Sequence, residues 1–412
     1  TVPLAKLILA KTHGNPFFIN ESIATLKTEN LLKFERARGV WYWDLAEIQA
    51  AKETHNNLTS LLIKKISKLK DDTQQVLKIA ACIGSSFELS ILVECMAKPA
   101  KEIAILLQTA IAAGLIIPIG NDYKAIELDI TSLTKTITVK YKFAHDHIQQ
   151  AAYSLIPENI KRKIHQNVGR AILQNTPKDK QEERIFDIVN QLNFSISLLH
   201  GRTEKDELAR LNLIAAQKAK ASTAYESALS YANLGIQLIE DKSWQQQYEL
   251  SLSLFLETAE VAYLCGKFNQ TEELAKIVLQ QAKTLLDKVK IYEIKILSHV
   301  AQGKPLASVK TAIYVLQLLG INFPRHPTKL KILLAAIATQ FRLHGKPVQE
   351  LIDLPVISNS HMLAAMKIMG IAGSPTYNAA PQFAPLLAFA GVNLSVKYGN
   401  TAMSAYAYAS YG

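Results

Sequence analysis

Two short segments, residues 143–147 and residues 14–16, carry the residues whose types and spacing could do chemistry. In the first, His145, Asp146 and His147 stand side by side. An imidazole donates or accepts a hydrogen bond near neutral pH, and a neighbouring carboxylate either orients it or caps the next helix. We expect Asp146 to cap the helix that follows, because aspartate is favoured at helix starts. We interpret His147 as a structural or exposed residue.

No group of residues in the chain forms a complete active site. A phosphate-binding loop has the pattern GxxxxGK followed by Ser or Thr, whereas residues 345–347, Gly-Lys-Pro, lack the earlier glycine and the hydroxyl. The 10 histidines show neither HExxH nor a ligand spacing with cysteine, and GxSxG does not occur. We therefore predict no catalytic residue and no metal site. Cys82, Cys95 and Cys265 form no CxxC pair, which predicts reduced, buried thiols.

The composition is that of a globular protein. With 49% hydrophobic and 20% charged residues over 412 positions, the chain can bury a large core and form roughly two to four domains. The net charge of +11 raises the question of nucleic acid, but only residues 161–163 form a dense basic cluster. Neither a signal peptide nor an uninterrupted apolar span is present, which predicts a cytoplasmic protein without a transmembrane segment.

The two chemical segments lie at joints between regular elements. Apolar residues at positions 137, 139, 141 and 143 predict a strand over residues 136–143 that turns into a helix at His145. Residues 4–13 predict an amphipathic helix. Gly14 suits the positive φ that follows this helix, and Pro16 suits the first turn of the next one. Aromatic residues between positions 31 and 44 predict a hairpin about Arg38 and Gly39.

Between the two joints, the pattern predicts small helices and a β wing. Helices are predicted to begin near Asn57 or Thr59, at Asp71, at Ser90 and at Lys101. Strands are predicted over residues 115–119 and 136–143. Three helices followed by a two-stranded wing are typical of a winged helix, which we place at residues 58–157.

Residues 158–412 are predicted to form helical repeats. Turns between amphipathic helices recur about every 40 residues, at positions 224–225, 267–268 and 304–305. Helical pairs with this period stack and present a concave face, here assigned to protein partners. Two prolines within residues 322–327 interrupt the array, and a helix is predicted from Lys329 to Leu343. The predicted fold class is therefore mainly α, with a tetratricopeptide-like α-superhelix after the winged helix.

The sequence GNPFFINE at residues 14–21 resembles the lid motif of signal-transducing ATPases with numerous domains, the STAND-type AAA ATPases. FAHDHIQQAAY at residues 143–153 resembles the segment that follows the winged helix in the same family. The resemblance implies that Gly14 allows a turn, that Pro16 contacts the adenine of ATP or ADP, and that His145 contacts a phosphate. Mg²⁺ would be held by a core upstream of these residues. Residues 1–57 would then be the C-terminal part of the ATPase lid with an inserted aromatic hairpin.

The order of these segments looks like that of large cyanobacterial-type signalling proteins. Those proteins join a serine/threonine kinase, the ATPase module, helical repeats, a GAF domain and a sensor histidine kinase of a two-component system. The resemblance implies a regulatory segment that couples a nucleotide switch to protein recognition by the repeats, with flanking kinase domains as partners and with nucleotide-dependent oligomers allowed. Because the chain starts at Thr1 and ends in SAYAYASYG, we expect a piece of a longer polypeptide.

The alternative is a STAND-type transcription regulator that binds DNA. Residues 101–113 would then be the recognition helix. Its polar side chains are Lys101, Glu102, Gln108 and Thr109. The lysines of the wing are Lys135, Lys140 and Lys142. Few of these side chains are suited to reading base edges, so we expect protein partners rather than nucleic acid.

Overall fold

The computed structural model describes most of the chain, namely residues 2–50, 58–124, 138–240, 242–345 and 348–412. The fold is mainly α-helical, as the sequence predicts. The chain divides into two compact units, one that ends at His200 and one that begins at Gly201.

The first unit opens with a helical joint and a small hairpin. Its first elements are α1 (Val2–Thr12), α2 (Pro16–Thr28), β1 (Leu32–Glu35), β2 (Val40–Trp43) and α3 (Leu45–Ala50). Gly14 takes a φ of +80°, which a residue with a Cβ adopts at a cost. The Asn15 side chain accepts a hydrogen bond of 3.0 Å from the Phe17 N–H, and Pro16 occupies the first turn of α2. The predicted joint and the predicted hairpin are both confirmed.

The described residues between 58 and 143 form a three-stranded sheet and four α-helices. The elements are α4 (Leu58–Ser67), α5 (Asp71–Ile83), β3 (Ser86–Glu88), α6 (Leu89–Met96), α7 (Ala100–Ala112), β4 (Ile116–Ile119) and β5 (Lys140–Phe143). Strand β5 lies in the centre, antiparallel to both neighbours, with Ser86 opposite Lys142 and Ile116 opposite Phe143. Tyr141 and Phe143 are buried, as the alternation predicts, whereas Ile137 lies outside the described residues. The positions of these helices agree with the sequence within one or two residues.

The first unit closes with three more helices. They are α8 (Asp146–Ser154), α9 (Glu158–Asn175) and α10 (Ile185–Phe194). Helix α9 packs against α5, α6 and α10, so it completes the core of the first unit. The first compact unit ends at His200 and not at one of the predicted boundaries, residues 57 and 157. The division into lid, winged helix and repeats stays a prediction.

The second unit is a series of helices. These are α11 (Arg202–Ala221), α12 (Tyr225–Leu238), α13 (Ser243–Gln246), α14 (Tyr248–Leu264), α15 (Phe268–Gln281), α16 (Leu285–Ala301), α17 (Pro305–Leu318), α18 (Lys329–Leu343), α19 (Val348–Ile352), α20 (Ser360–Ala379), α21 (Ala384–Tyr398) and α22 (Ser404–Tyr411). Helices α12, α15 and α17 begin at Tyr225, Phe268 and Pro305, the positions that the repeat spacing predicts. Each packs against the helix before it. A superhelix of repeats remains a prediction.

A chain of charges connects the first helices of three successive pairs. Lys220 of α11 contacts Glu257 of α14 at 2.8 Å and Glu260 at 2.9 Å. Glu260 also pairs with Lys290 of α16 at 2.6 Å. The Glu257 side chain is only 8% exposed, so this carboxylate depends on Lys220 for compensation of its charge.

Candidate functional site

The histidine corner lies at the end of the central strand of the sheet. The Phe143 N–H donates a hydrogen bond of 2.9 Å to the Ser85 carbonyl, and the Ala144 N–H donates one of 3.0 Å to the Leu115 carbonyl. The backbone is thus fixed on both sides immediately before His145. The chain then enters α8, and the Gln149 side chain donates a hydrogen bond of 3.1 Å to the Ala81 carbonyl of α5.

His145 itself caps α8. Its Nδ1 accepts a hydrogen bond of 3.3 Å from the His147 N–H, so Nδ1 is an acceptor and the proton of the neutral ring is on Nε2. The ring therefore retains one N–H donor for another partner. The prediction that Asp146 caps the helix is wrong. Asp146 is the first residue of α8. There its exposed carboxylate interacts favourably with the positive end of the helix dipole.

The structure brings the helical joint and the histidine corner together. The ring of Phe17, next to Pro16, stacks on the His145 ring with 4.2 Å between centroids and 14° between planes. Phe18 packs against His147 at 4.9 Å, and the two histidine rings stack at 5.1 Å. Two segments that are far apart in the sequence thus share one ring cluster, in which His147 has a structural role.

Ion pairs hold α2 on α4 beside this ring cluster. Lys65 contacts Glu21 at 2.9 Å, and Lys64 contacts Glu29 at 3.0 Å. The side chains of Lys65 and Glu21 are 30% and 18% exposed, so solvent screens this pair only in part. The ring stack and the ion pairs together dock α2 on the helices that follow it.

The residues predicted to touch a nucleotide lie at the surface of this cluster. Gly14 and Pro16 are exposed, and His145 is half-buried. Their contact with a nucleotide remains a prediction. Sequence reasoning missed Phe17, which makes the closest ring contact with His145. The available signal was an aromatic residue directly after the proline of an exposed turn.

The chain is similar in sequence to parts of two histidine kinases. The chain is 27% identical over 327 residues to hybrid signal transduction histidine kinase G of Dictyostelium discoideum, a match that covers 69% of this chain and 10% of the kinase. It is 21% identical over 279 residues to peroxide stress-activated histidine kinase mak3 of Schizosaccharomyces pombe, which covers 65% of this chain and 11% of that kinase. No protein-family model and no solved structure matches the chain.

The chain thus spans about a tenth of the length of the curated relatives it matches. The similarity supports a role in signal transduction in general. It does not extend to the particular set of domains that the resemblance to cyanobacterial-type proteins implies, which stays a prediction.

A buried hydrogen-bond chain connects α8, α9, α10 and α5. Gln191 donates through Nε2 to the Cys82 carbonyl at 2.7 Å, so its Oε1 accepts from Nδ1 of His165 at 2.6 Å. The Nε2 of His165 is then the acceptor for the Tyr153 hydroxyl at 3.0 Å. Every member of this chain has a partner, which explains why a histidine and a glutamine are tolerated in the core. The sequence analysis did not identify it.

We expect acidification to destabilise the protein through His165. Burial lowers the pKa of His165 below its ordinary value of 6.5. The unfolded chain therefore binds a proton before the folded chain does, and stability falls as the pH drops below about 6.5, by at most about 1.4 kcal/mol per pH unit. His165→Gln removes this contribution, while His299, whose pKa is also lowered by burial, retains its own. Urea unfolding at several pH values measures how the free energy of unfolding changes with pH. An equal dependence for the unmodified chain and for His165→Gln would contradict the prediction.

The cysteines are free and differ in burial. Cys82 is buried, while Cys95 and Cys265 are half-buried, so the prediction of buried thiols is confirmed for Cys82 alone. Burial raises the pKa of both Cys82 and Cys95 to about 12. These two thiols are therefore protonated and chemically inert at neutral pH.

The helix that a DNA-binding protein would use carries few groups for bases. The exposed side of α7 carries Lys101, Glu102, Gln108 and Thr109, together with Ile105, which is 55% exposed. On the wing, Lys140 pairs with Glu88 at 3.7 Å, and Lys142 is exposed. Lys135 lies outside the described residues. The DNA-binding alternative gains no support from this surface and stays a prediction.

Within the described ranges, every helix is too short or too polar to span a bilayer. The described side chains also include no group of three or more His, Cys, Asp or Glu that could hold a metal ion.

Proposed function

We propose that this chain is the regulatory segment of a cytoplasmic signalling protein of the histidine-kinase type, in which nucleotide decides whether α2 stays docked on the histidine corner. The observation that carries the proposal is the stacking of Phe17 on His145 at 4.2 Å. This stack places the exposed turn at Pro16 close to the His145 ring, whose Nε2–H has no partner within the helix cap. Pro16 would contact the base and His145 Nε2 a phosphate oxygen of ATP or ADP held by an upstream ATPase core, which also supplies Mg²⁺.

The strength of the docked contact suits a switch. A ring stack contributes about 1 kcal/mol beyond its buried area, and each partly exposed ion pair about 0.5 kcal/mol. These contributions come in addition to the burial of Phe18 and are comparable with the free energy that a bound ligand supplies. A ligand that bridges both sides can then determine the population, provided that it binds the docked state more tightly.

The helical pairs of the second unit would carry the response to other proteins. Paired helices that start at regular intervals provide a long surface for protein partners. We propose that undocking of α2 changes how flanking kinase domains and these partners are held, including nucleotide-dependent oligomers. The similarity to two histidine kinases supports the signalling part of this proposal.

Hydrogen–deuterium exchange with and without ADP tests the proposal. In a polypeptide that includes the upstream nucleotide-binding core, ADP is expected to slow amide exchange at residues 14–18 and 143–149. A nucleotide that contacts both segments stabilises the docked state. The exposed hairpin of β1 and β2 serves as an internal control and should exchange at an unchanged rate. The 412-residue chain alone should show no effect of ADP. Unchanged exchange at both segments in the longer polypeptide would overturn the proposal.

A further inference from the structure

Helix α18 exposes its largest apolar side chains. Five residues spaced three or four positions apart form one stripe on this helix, which we call the α18 stripe. Their exposed fractions are 65% for Leu330, 56% for Leu333, 57% for Leu334, 44% for Ile337 and 76% for Phe341. With about 3.6 residues per turn, these five side chains share one face of the helix. A continuous apolar face of this kind is unusual at the surface of a monomer and marks an interaction site.

The opposite face of α18 is the one that packs on the protein. Thr339 is fully buried there, and its hydroxyl donates to the Ala335 carbonyl at 2.9 Å. The Asn393 side chain of α21 donates a hydrogen bond of 3.0 Å to the same hydroxyl. The helix is therefore held in place by its small and polar face. The α18 stripe points away from the unit to which it belongs.

The charges around the stripe are all positive. Lys329 and Lys331 precede and follow Leu330, so they lie about 100° to either side of Leu330, and both are exposed. Arg342 follows Phe341 and is exposed as well. In the sequence, no Asp or Glu occurs between Glu293 and Glu350. The helix thus presents an apolar face bordered by cations, with no acidic residue nearby in the chain.

We propose that α18 binds the surface of an anionic lipid bilayer. An amphipathic helix with aliphatic and aromatic residues on one face and Lys or Arg at its borders lies in the plane of the membrane interface. Its apolar face enters the boundary between headgroups and acyl chains. Lys329, Lys331 and Arg342 extend their chains towards the phosphates of the headgroups. The partner is therefore defined by charge complementarity and by an apolar interior without hydrogen-bonding groups.

A lipid surface suits this face better than a protein groove does. The side chains of the α18 stripe are all hydrocarbon, so the face offers no polar group that would fix the orientation of a protein partner. The cations border the stripe on both sides, where headgroups meet a helix lying flat. The proposal is independent of the nucleotide switch, because it concerns the second unit alone and needs no ligand at His145.

Sedimentation of the 412-residue chain with lipid vesicles tests the proposal. We expect binding to vesicles of phosphatidylserine mixed with phosphatidylcholine and weak binding to phosphatidylcholine alone. Lys329→Gln with Lys331→Gln should lower the partition coefficient about tenfold, since each cation near an anionic surface contributes several-fold. Leu334→Ser with Phe341→Ser should lower it by about tenfold or more, because the apolar contribution is lost. Added salt should weaken binding of the unmodified protein.

Matched controls use exposed residues elsewhere in the second unit. Leu306→Ser changes a leucine of α17 that is 57% exposed, and Lys242→Gln with Lys276→Gln removes two other exposed lysines. These variants should bind vesicles as the unmodified chain does. All the substituted residues are exposed, so circular dichroism and unfolding midpoints should not change. The proposal is overturned by equal binding to both kinds of vesicle or by unchanged binding of both α18 variants. It is also overturned if the variants alter only the self-association of the chain, which would assign the stripe to a contact between copies.

Discussion

Replacing Lys220 with methionine is expected to lower the free energy of unfolding by about 3 kcal/mol. Burial lowers the pKa of Lys220, but hydrogen bonds to Glu257 and Glu260 outweigh this effect and raise the pKa overall. Burial raises the pKa of Glu260, but hydrogen bonds from Lys220 and Lys290 outweigh this effect and lower the pKa overall. Removal of the ammonium leaves the Glu257 carboxylate, which is only 8% exposed, without its positive partner, whereas Glu260 keeps Lys290. An uncompensated charge in such a place is far more costly than the loss of an ordinary surface contact.

Lys267→Met provides the matched control. Lys267 pairs with Glu226 at 3.1 Å across neighbouring helical pairs, but the two side chains are 48% and 73% exposed. Its loss should change the free energy of unfolding by no more than about 0.5 kcal/mol. Urea unfolding followed by circular dichroism measures both variants. Adding Glu257→Gln and Glu260→Gln to Lys220→Met should restore part of the stability. Equal effects of the two lysine substitutions would show that the burial of Glu257 does not determine the loss of stability in Lys220→Met.

Replacing His145 with asparagine is expected to weaken retention of ADP about tenfold to a hundredfold, if the proposed nucleotide contact is correct. A hydrogen bond to a charged phosphate contributes about 1.5–3 kcal/mol. Asparagine is itself a favoured helix cap, so its side chain can replace Nδ1 of His145 as acceptor for the His147 N–H. It lacks the Nε2–H that would reach the phosphate. The variant therefore keeps the cap of α8 but removes both the ring stack on Phe17 and the proposed phosphate donor.

The measurement is the dissociation rate of ADP from a polypeptide that includes the upstream core. His147→Asn serves as the control, because the Nδ1 of His147 already contacts Gln150 at 3.2 Å and no phosphate contact is proposed for it. The control should retain ADP as the unmodified protein does. If His145→Asn also retained ADP normally, while α8 stayed folded, the phosphate contact would be rejected and His145 would have structural roles only, as a helix cap and as a ring in the cluster.

Local signals in the sequence were sufficient for the helices and their turns. Tyr225, Phe268 and Pro305 begin helices where the repeat spacing predicts, and α18 has the predicted bounds of Lys329 and Leu343. Such boundaries depend on caps, on glycine and proline, and on apolar periodicity, all of which operate within a few residues. Strand β3 was missed, because three residues are too few to show alternation.

Long-range contacts could not be predicted in the same way. The resemblance singled out Pro16 and His145, but the contact between them runs through Phe17. The path from His165 through Gln191 to the Cys82 carbonyl joins three helices, and no local pattern marks it. The cap of α8 was assigned to Asp146 on propensity alone. The strand geometry that places His145 at the cap position outweighs that propensity.

The buried Cys82 thiol is a natural probe of local unfolding in the first unit. A reagent that attacks thiolates meets this sulfur only when α5 separates from the helices around it, since the folded protein holds the thiol protonated and covered. Cys95 and Cys265 are only half-buried, so a reagent reaches them more easily than Cys82. The delay of Cys82 modification relative to the other two thiols therefore reports on the opening of the first unit.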